Sequence, residues 1–484
     1  MKPTPIQPRL ILRLVLASTI TVALSACATR ESRSTLGNKW PASEPTVNLA
    51  AYESVQKRPG QRSDVAVAVA ISGGGMRAAN FAAGVLKALE QTPVKGANGR
   101  ISNLLREVDY FSTVSGGGLA AGSYIAHLNQ HLRHVPGDPE ARGFSFAAGG
   151  GDESGRNWRK ALAENYQSSI VGSFFNPLMA GKLDRGDILE GRLDQYVLGR
   201  DEGRSLTLGD IFKPKGTKPL MPYWVTNGTV FENGAIFPFT PDVLAQYGIT
   251  GYNHRLASKR LKAPEDMPLA VGLKTSASFP VAIPLTTMKS NKDPRHPLIH
   301  LMDGGVADNL GVITAIRLLR QDKAKHKVLI VIDAYNGKVE PFSKGAFRPG
   351  MLSTALRTTS ISLESSHQRI DNLLNTIAGP SSIRYAVVDF TRALNAEDDQ
   401  PFAPADGLMD LLGIGSMKRD ETSPQSIQAV FTQAIGVGTW FKIDKEAQQA
   451  LLKAGENAIY IQNPQAPAAG QKLLKEMRSI REVF

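Results

Sequence analysis

The sequence predicts an α/β fold built on a mostly parallel central sheet. Three observations lead there. Residues 64–72 (DVAVAVAIS) and 327–333 (KVLIVID) are short and almost wholly apolar, as strands buried on both faces must be. Glycine-rich turns follow apolar segments at Gly73-Gly74-Gly75 and at Ser115-Gly116-Gly117-Gly118. A helical spacing then follows each turn, with Phe81, Val85 and Leu89 on one side of residues 78–90. Strands alternating with helices are the signature of a parallel sheet covered by helices.

In chain order, residues 64–72 predict a strand and 78–90 a helix. Residues 108–114 (VDYFSTV) predict a second strand, and 119–132 an Ala-rich helix. Residues 135–220 lose the rhythm and read as an irregular insert, a surface excursion or a lid. They include a helical patch at 158–166, an apolar stretch at 173–181 and the run Gly149-Gly150-Gly151, which has no strand before it and reads as a loop. Further strands are expected at 297–302, 327–333, 384–390 and 458–462. Helices are expected at 309–319, near 424–434 and up to Phe484, with a polar surface helix at 363–373.

The 484 residues are 42% hydrophobic and 21% charged, an ordinary globular composition with ample material for a core. The net charge is +12, but the basic residues are scattered rather than clustered with aromatics, which argues against nucleic acid. A basic surface or attraction to anionic lipid remains. Cys27 is the sole cysteine, so an internal disulfide and any multi-cysteine metal site are excluded.

The N-terminus reads as an address. Lys2, Arg9 and Arg13 precede an apolar stretch, residues 14–24, too short to span a bilayer comfortably. It ends in Leu24-Ser25-Ala26-Cys27, which resembles the lipobox of bacterial lipoproteins. That resemblance implies cleavage before Cys27, lipidation of its thiol, and an envelope location, with Ala28 suiting the outer membrane. The expected organisation is a signal peptide (1–26), a lipidated cysteine and polar tether (27–63), a catalytic domain (64–340, with 135–220 as insert or lid) and a C-terminal extension (341–484) packed on it.

Three segments carry chemistry. In Ser72-Gly73-Gly74-Gly75-Met76-Arg77, consecutive glycines let backbone N–H groups converge, and the following helix adds its positive end. Such a cradle suits a phosphate or an oxyanion. It is not a Walker loop, lacking Gly-Lys-Ser/Thr, nor a Rossmann fingerprint, since Ala78 stands where a glycine is needed. In Thr113-Val114-Ser115-Gly116-Gly117, a serine between strand and helix fits a nucleophile elbow, Gly-x-Ser-x-Gly, except at Thr113; a helix-capping serine is the plainer alternative. Asp303-Gly304-Gly305 places a carboxylate at a strand end, fit for a general base or for an ordinary turn.

Taken in order, these segments resemble the patatin-like phospholipase family over roughly residues 64–320. The small-residue stretch 276–284 (SASFPVAIP) adds a lesser match. The resemblance implies a three-layer α/β/α hydrolase acting on phospholipids or other acyl lipids without metal or cofactor. By resemblance Ser115 is the nucleophile and Asp303 the base in a dyad lacking histidine. Gly74 and Gly75, with neighbouring Gly73 and Met76, line the oxyanion hole beside the motif arginine, Arg77. Gly117, Gly304 and Gly305 flank the reacting groups. Ala78 and Thr113 depart from the family pattern, which has glycine at both.

Competing readings are defined by residues too. A Ser-His-Asp triad would need one of eight histidines, but His300 lies three residues from Asp303 in a strand and should face the other way. His127, His131 and His134 share a helix face without a metal motif and read as a solvated face. Asp333 ends the strongest strand but lacks glycine context, and Asp308 reads as a helix cap. Outside hydrolysis, the fold could serve as a catalytically silent binding module, or the glycine loop as a nucleotide-phosphate cradle.

Overall fold

In a computed structural model the chain divides into two compact units, Met1–Lys39 and Trp40–Phe484. The structure describes residues 45–52, 57–58, 60–134, 144–148, 157–166, 185–199, 203–214, 220–254, 257–280, 283–335, 372–374, 383–389, 434, 442–459 and 468–484. The apolar N-terminal segment, Cys27, Gly149-Gly150-Gly151, the stretch 173–181, and nearly all of the helices expected at 363–373 and 424–434 lie outside the described residues.

Twelve strands are described: β1 (Val65–Ile71), β2 (Pro93–Lys95), β3 (Ile101–Asn103), β4 (Val108–Thr113), β5 (Tyr223–Val230), β6 (Ile236–Pro238), β7 (Ile249–His254), β8 (Ala257–Arg260), β9 (Thr286–Ser290), β10 (Leu298–Asp303), β11 (His326–Asp333) and β12 (Ile383–Asp389). β2 and β3 form a separate hairpin. The other ten make one sheet, in the order β12-β11-β1-β4-β5-β10-β9-β7-β8, with β6 paired to β5. From β12 to β5 every pairing is parallel. From β5 outward every pairing is antiparallel.

The sheet is therefore mixed, and the expectation of a mostly parallel sheet holds for one half. The reason is legible in β5, which reads YWVTNGTV. Its Thr226, Asn227 and Thr229 look like loop residues, yet all eight positions are buried. In β9 (TTMKS) and β10 (LIHLMD) buried and more exposed positions alternate, as suits a sheet with one face open to water.

The helices that matter below are α1 (Gly75–Glu90), α2 (Gly116–His134), α3 (Arg185–Arg192), α4 (Leu269–Ser276), α5 (Gly305–Asp308), α6 (Val312–Gln321), α7 (Lys445–Ala458) and α8 (Ala468–Arg481). α6 packs on β1, β4 and β11, while α1 and α2 pack on each other. Every residue of β1 is buried, which a strand reaches only when both faces are covered. No helix among the described residues is long and apolar enough to cross a membrane.

Three expectations change. Part of the segment expected as a polar tether is packed: Val47, Leu49 and Tyr52 enter the core. Their backbone is fixed by Asp242, which accepts from the Asn48 N–H at 2.7 Å, and by Gln321, which accepts from the Leu49 N–H at 3.0 Å. The strand expected at 458–462 starts on a helix end instead, since Ala458 closes α7. α7 itself was not expected, although Asp444 caps it by accepting from the Ala447 N–H at 2.7 Å. Lastly, part of the irregular insert is regular. α3 continues as a π-helical turn, Leu193–Leu198, against α2 and α4.

α7 is bound to α1 by a glycine–glycine approach. A Cβ on Gly84 would lie 2.1 Å from the Leu452 carbonyl oxygen, and one on Gly455 would lie 2.1 Å from that of Phe81. Only hydrogen fits there. Gly455→Ala must push the helices apart, and such overpacking costs roughly 1–3 kcal/mol. It is expected to lower the thermal midpoint by several degrees. Gly191→Ala, where no atom lies within 4 Å of the added Cβ, is expected to leave the midpoint unchanged or raise it. Equal midpoints for the two variants in a thermal melt would refute the close approach.

Candidate active site

Ser115 follows β4 after one residue, Val114, and directly precedes α2. Its φ is +47°, in the left-handed region that side chains with a Cβ rarely adopt. Among the described non-glycine residues only Asn98 shares this sign. The turn keeps this conformation because its surroundings leave no alternative. The Ser115 N–H donates to Ser276 Oγ at 2.9 Å. The Gly117 N–H donates to the Val114 carbonyl at 2.9 Å, and Gly118 to that of Ser115 at 2.9 Å. A Cβ on Gly117 would lie 2.6 Å from the Ser72 carbonyl oxygen, so the elbow and the glycine loop are packed backbone to backbone.

Asp303 ends β10 and is 3% exposed. Its Oδ1 accepts the Gly305 N–H at 2.8 Å, and the Ser115 side chain lies close enough to favour its ionised form. Its backbone is equally fixed: its N–H donates to the Ser278 carbonyl at 3.0 Å, and its own carbonyl accepts from Thr229 Oγ1 at 2.8 Å. Gly304 allows the chain to pass, because a Cβ there would lie 2.1 Å from the Asn227 carbonyl oxygen. Burial disfavours the charged carboxylate and pushes it up to about 7, against the opposing pull of the Gly305 N–H and the Ser115 side chain. A base of that strength is matched to neutral pH.

The glycine loop divides its labour. The Gly73 N–H is committed to the Asn309 carbonyl at 2.9 Å, which removes Gly73 from the expected set of oxyanion donors. It serves instead as a spacer, since a Cβ there would meet Asn309 Oδ1 at 2.5 Å. The N–H groups of Gly74, Gly75 and Met76 have no acceptor among the described residues, as befits the first turn of α1. The same is true of Gly116 at the start of α2, a donor the sequence reading missed. Two helix N-termini thus meet beside Ser115, and their dipoles favour negative charge there.

Arg77, the motif arginine, stands in the first turn of α1. Its guanidinium is buried near Asp333 and Tyr335; burial lowers it to about 10, and those two neighbours partly restore it. Asp333 is thereby accounted for as the arginine's counter-charge rather than a rival base, and its Oδ1 also accepts the Tyr335 N–H at 2.9 Å. Asp308 caps α6 as expected, accepting from Leu310, Gly311 and Ile313 at 3.1, 3.0 and 2.9 Å.

The two departures from the glycine pattern are accommodated. Thr113 Oγ1 accepts the Trp224 indole N–H at 2.9 Å, so its side chain satisfies a buried donor. Ala78 is 1% exposed, its methyl filling space in α1. Behind the elbow, Asn227 Nδ2 donates to Ser112 Oγ at 3.0 Å and to the Thr113 carbonyl at 3.1 Å, while Thr314 donates to Asn227 Oδ1 at 2.7 Å. Ser276, Asn227, Trp224 and Asn309 were missed as supports. A signal existed for Ser276 alone, in the small-residue stretch 276–284.

The described histidines bond elsewhere. His300 Nδ1 lies 2.7 Å from Glu232 Oε1, on the face of β10 away from Asp303. His296 is held by Asp293 and His127 by the Ser123 carbonyl. His127 is buried and His131 packs on Phe144, so the expected solvated face is a packed one.

A comparison with curated protein sequences gives no match. Among solved structures, human GIVD cytosolic phospholipase A2 is similar at 11% identity, over 87% of this chain and 61% of that one, with a TM-score of 0.44. The same enzyme in complex with methyl gamma-linolenyl fluorophosphonate gives 13%, 87% and 60%, and 0.37. VipD from Legionella pneumophila gives 12%, 95% and 80%, and 0.26. The chain spans about three fifths of the human enzyme, and such TM-scores carry no weight alone. The sequence model of patatin-like phospholipases, however, matches residues 69–316, just over half of the chain and including all three motif segments. The chain belongs to the patatin-like phospholipase family.

Proposed function

We propose that the protein is a serine acyl hydrolase of the phospholipase A or lysophospholipase type, cleaving lipid acyl esters through a Ser115–Asp303 dyad. The buried Asp303 carboxylate, fixed at the end of β10 close enough to the elbow serine Ser115 to feel its hydroxyl, carries the proposal. Ser115 Oγ attacks the ester carbonyl carbon as its proton passes to Asp303. The carbonyl oxygen gains the negative charge and is held by the amides of Gly74 and Gly75, with Met76 and Gly116 in reserve. The oxyanion collapses, the alcohol leaves with the proton from Asp303, and an acyl-serine remains. Water then attacks the acyl carbonyl as Asp303 takes its proton, and Asp303 returns that proton to Ser115 Oγ as the fatty acid leaves. Lipid is the proposed substrate because the family model that matches this chain is that of phospholipases. Cys27 is the proposed lipid attachment point, holding the enzyme at a bacterial envelope membrane.

A fluorophosphonate ester is expected to label the wild type and not Ser115→Ala. Asp303→Asn, which keeps the shape but accepts no proton, should lower kcat by roughly 10²–10⁴-fold. His300→Gln should label and turn over normally. A wild type that neither labels nor hydrolyses any acyl ester would mean a silent binding module.

The pH profile follows from Asp303. Deprotonated, it is the base, so kcat/KM should rise with pH and level off above about 7. Stability moves the other way. The folded state holds this proton more tightly than the unfolded one, so the group costs stability as pH rises from 3.8 toward about 7. Asp303→Asn should therefore raise the thermal midpoint at pH 8 relative to wild type, and much less at pH 4. A gain independent of pH would contradict the buried carboxylate.

Cys27→Ala is expected to abolish lipidation and move the protein from the membrane to the soluble fraction, read by fractionation and by mass spectrometry of the mature N-terminus. An unaltered distribution would refute the anchor.

A further inference from the structure

The antiparallel half of the sheet projects past the end of the parallel half that carries Ser115. β5 pairs with β4 as far as Thr113↔Thr226, and then runs on. Asp303 pairs with Gly228 and Leu301 with Val230, so β10 accompanies that extension in the opposite direction. The Phe231 N–H donates to the His300 carbonyl at 2.8 Å, and Leu298 pairs with Lys289 of β9 farther out. Phe231 thus stands five residues beyond Thr226, roughly 16 Å at the usual strand rise. The hairpins form a rim on the active-site side of the sheet.

That rim is unlike the rest of the surface. Phe231 is 58% and Leu298 41% exposed, two of the four large hydrophobic residues among the described ones that water reaches so freely. Both lie at the projecting end. Around them, residues 257–262 and 289–295 contain Lys259, Arg260, Lys262, Lys289, Lys292 and Arg295 against the single carboxylate Asp293. Asp293 is 1% exposed; it accepts the Arg295 N–H at 3.0 Å and pairs with the Arg295 guanidinium at 3.7 Å, while Lys289 and Lys292 are exposed without a carboxylate partner in any ion pair among the described residues. Glu232, next to Phe231 and bonded to His300, adds a second carboxylate, so six cations still stand against two acidic residues. An open cleft of about 440 Å³ lies between Lys262 and Lys292 at the same end.

We infer that this rim docks on an anionic lipid bilayer, Phe231 and Leu298 entering the interface while the lysines and Arg295 meet the phosphates. Charge complementarity selects the partner: exposed aromatic and aliphatic side chains ringed by cations match a negatively charged membrane surface. The docked face would set the Ser115 end of the sheet toward the lipid. The inference rests on the lipid-hydrolase reading for its choice of a bilayer, but its test needs no turnover.

With Cys27→Ser in the full chain, a single new cysteine can be labelled with a polarity-sensitive fluorophore at Phe231→Cys, Leu298→Cys or Ile101→Cys. Ile101 is 70% exposed in β3, just ahead of the start of β4 and away from Ser115. Phosphatidylcholine–phosphatidylglycerol vesicles are expected to blue-shift emission from 231 and 298 but not from 101. The shift should vanish in high salt and in a Lys289→Glu/Lys292→Glu/Arg295→Glu background. Labels at 231 and 298 that stay in water on vesicles the protein has bound would overturn the inference. So would an equal shift at 101, or an equal shift on phosphatidylcholine alone. A chain that shows the expected shifts yet hydrolyses no ester would refute the hydrolase reading and leave the docking rim standing.

Discussion

The backbone of Gly116 lies against that of Gly75, so close that a Cβ on Gly116 would sit 2.0 Å from the Gly75 carbonyl oxygen. This contact joins the first turns of two helices that arrive from different strands. It brings their free amides to one place and leaves Ser115 at the vertex. Side chains are excluded at Gly116, Gly117 and Gly304 by the same logic, each pressed on another segment's carbonyl. The elbow's left-handed backbone then becomes a consequence of packing rather than a local preference.

The parts of the fold readable in the sequence were those whose chemistry is local. An apolar run such as VAVAVAI announces a buried strand, and glycines after it announce a turn. Ser115, Asp303 and the glycine loop stood out because a catalytic turn needs particular residues at short spacing. β5 did not stand out, because its polar residues are satisfied by partners far away in sequence: Asn227 by Ser112 and Thr314, Thr229 by the Asp303 carbonyl. Nor could Gly73 be separated from Gly74 and Gly75. The difference lies in a single bond to Asn309, more than two hundred residues on.

Asp303 shows what burial does at such a site. Water would hold its carboxylate ionised well below neutrality, and that would make it a weak base. Removing water raises its proton affinity, while the Gly305 N–H and the Ser115 hydroxyl keep the ionised form accessible. The same desolvation is a standing strain on the native state, tolerated because β5, α4 and the 276–278 segment fix the surrounding backbone.

Thr113 has an implication for how this sequence can drift. Glycine at that position would complete the Gly-x-Ser-x-Gly pattern, yet it would orphan the Trp224 indole N–H in a buried layer. The two positions are epistatic: Trp224 must change first, or together with Thr113. A substitution that looks like a return to consensus is, in this chain, a step uphill.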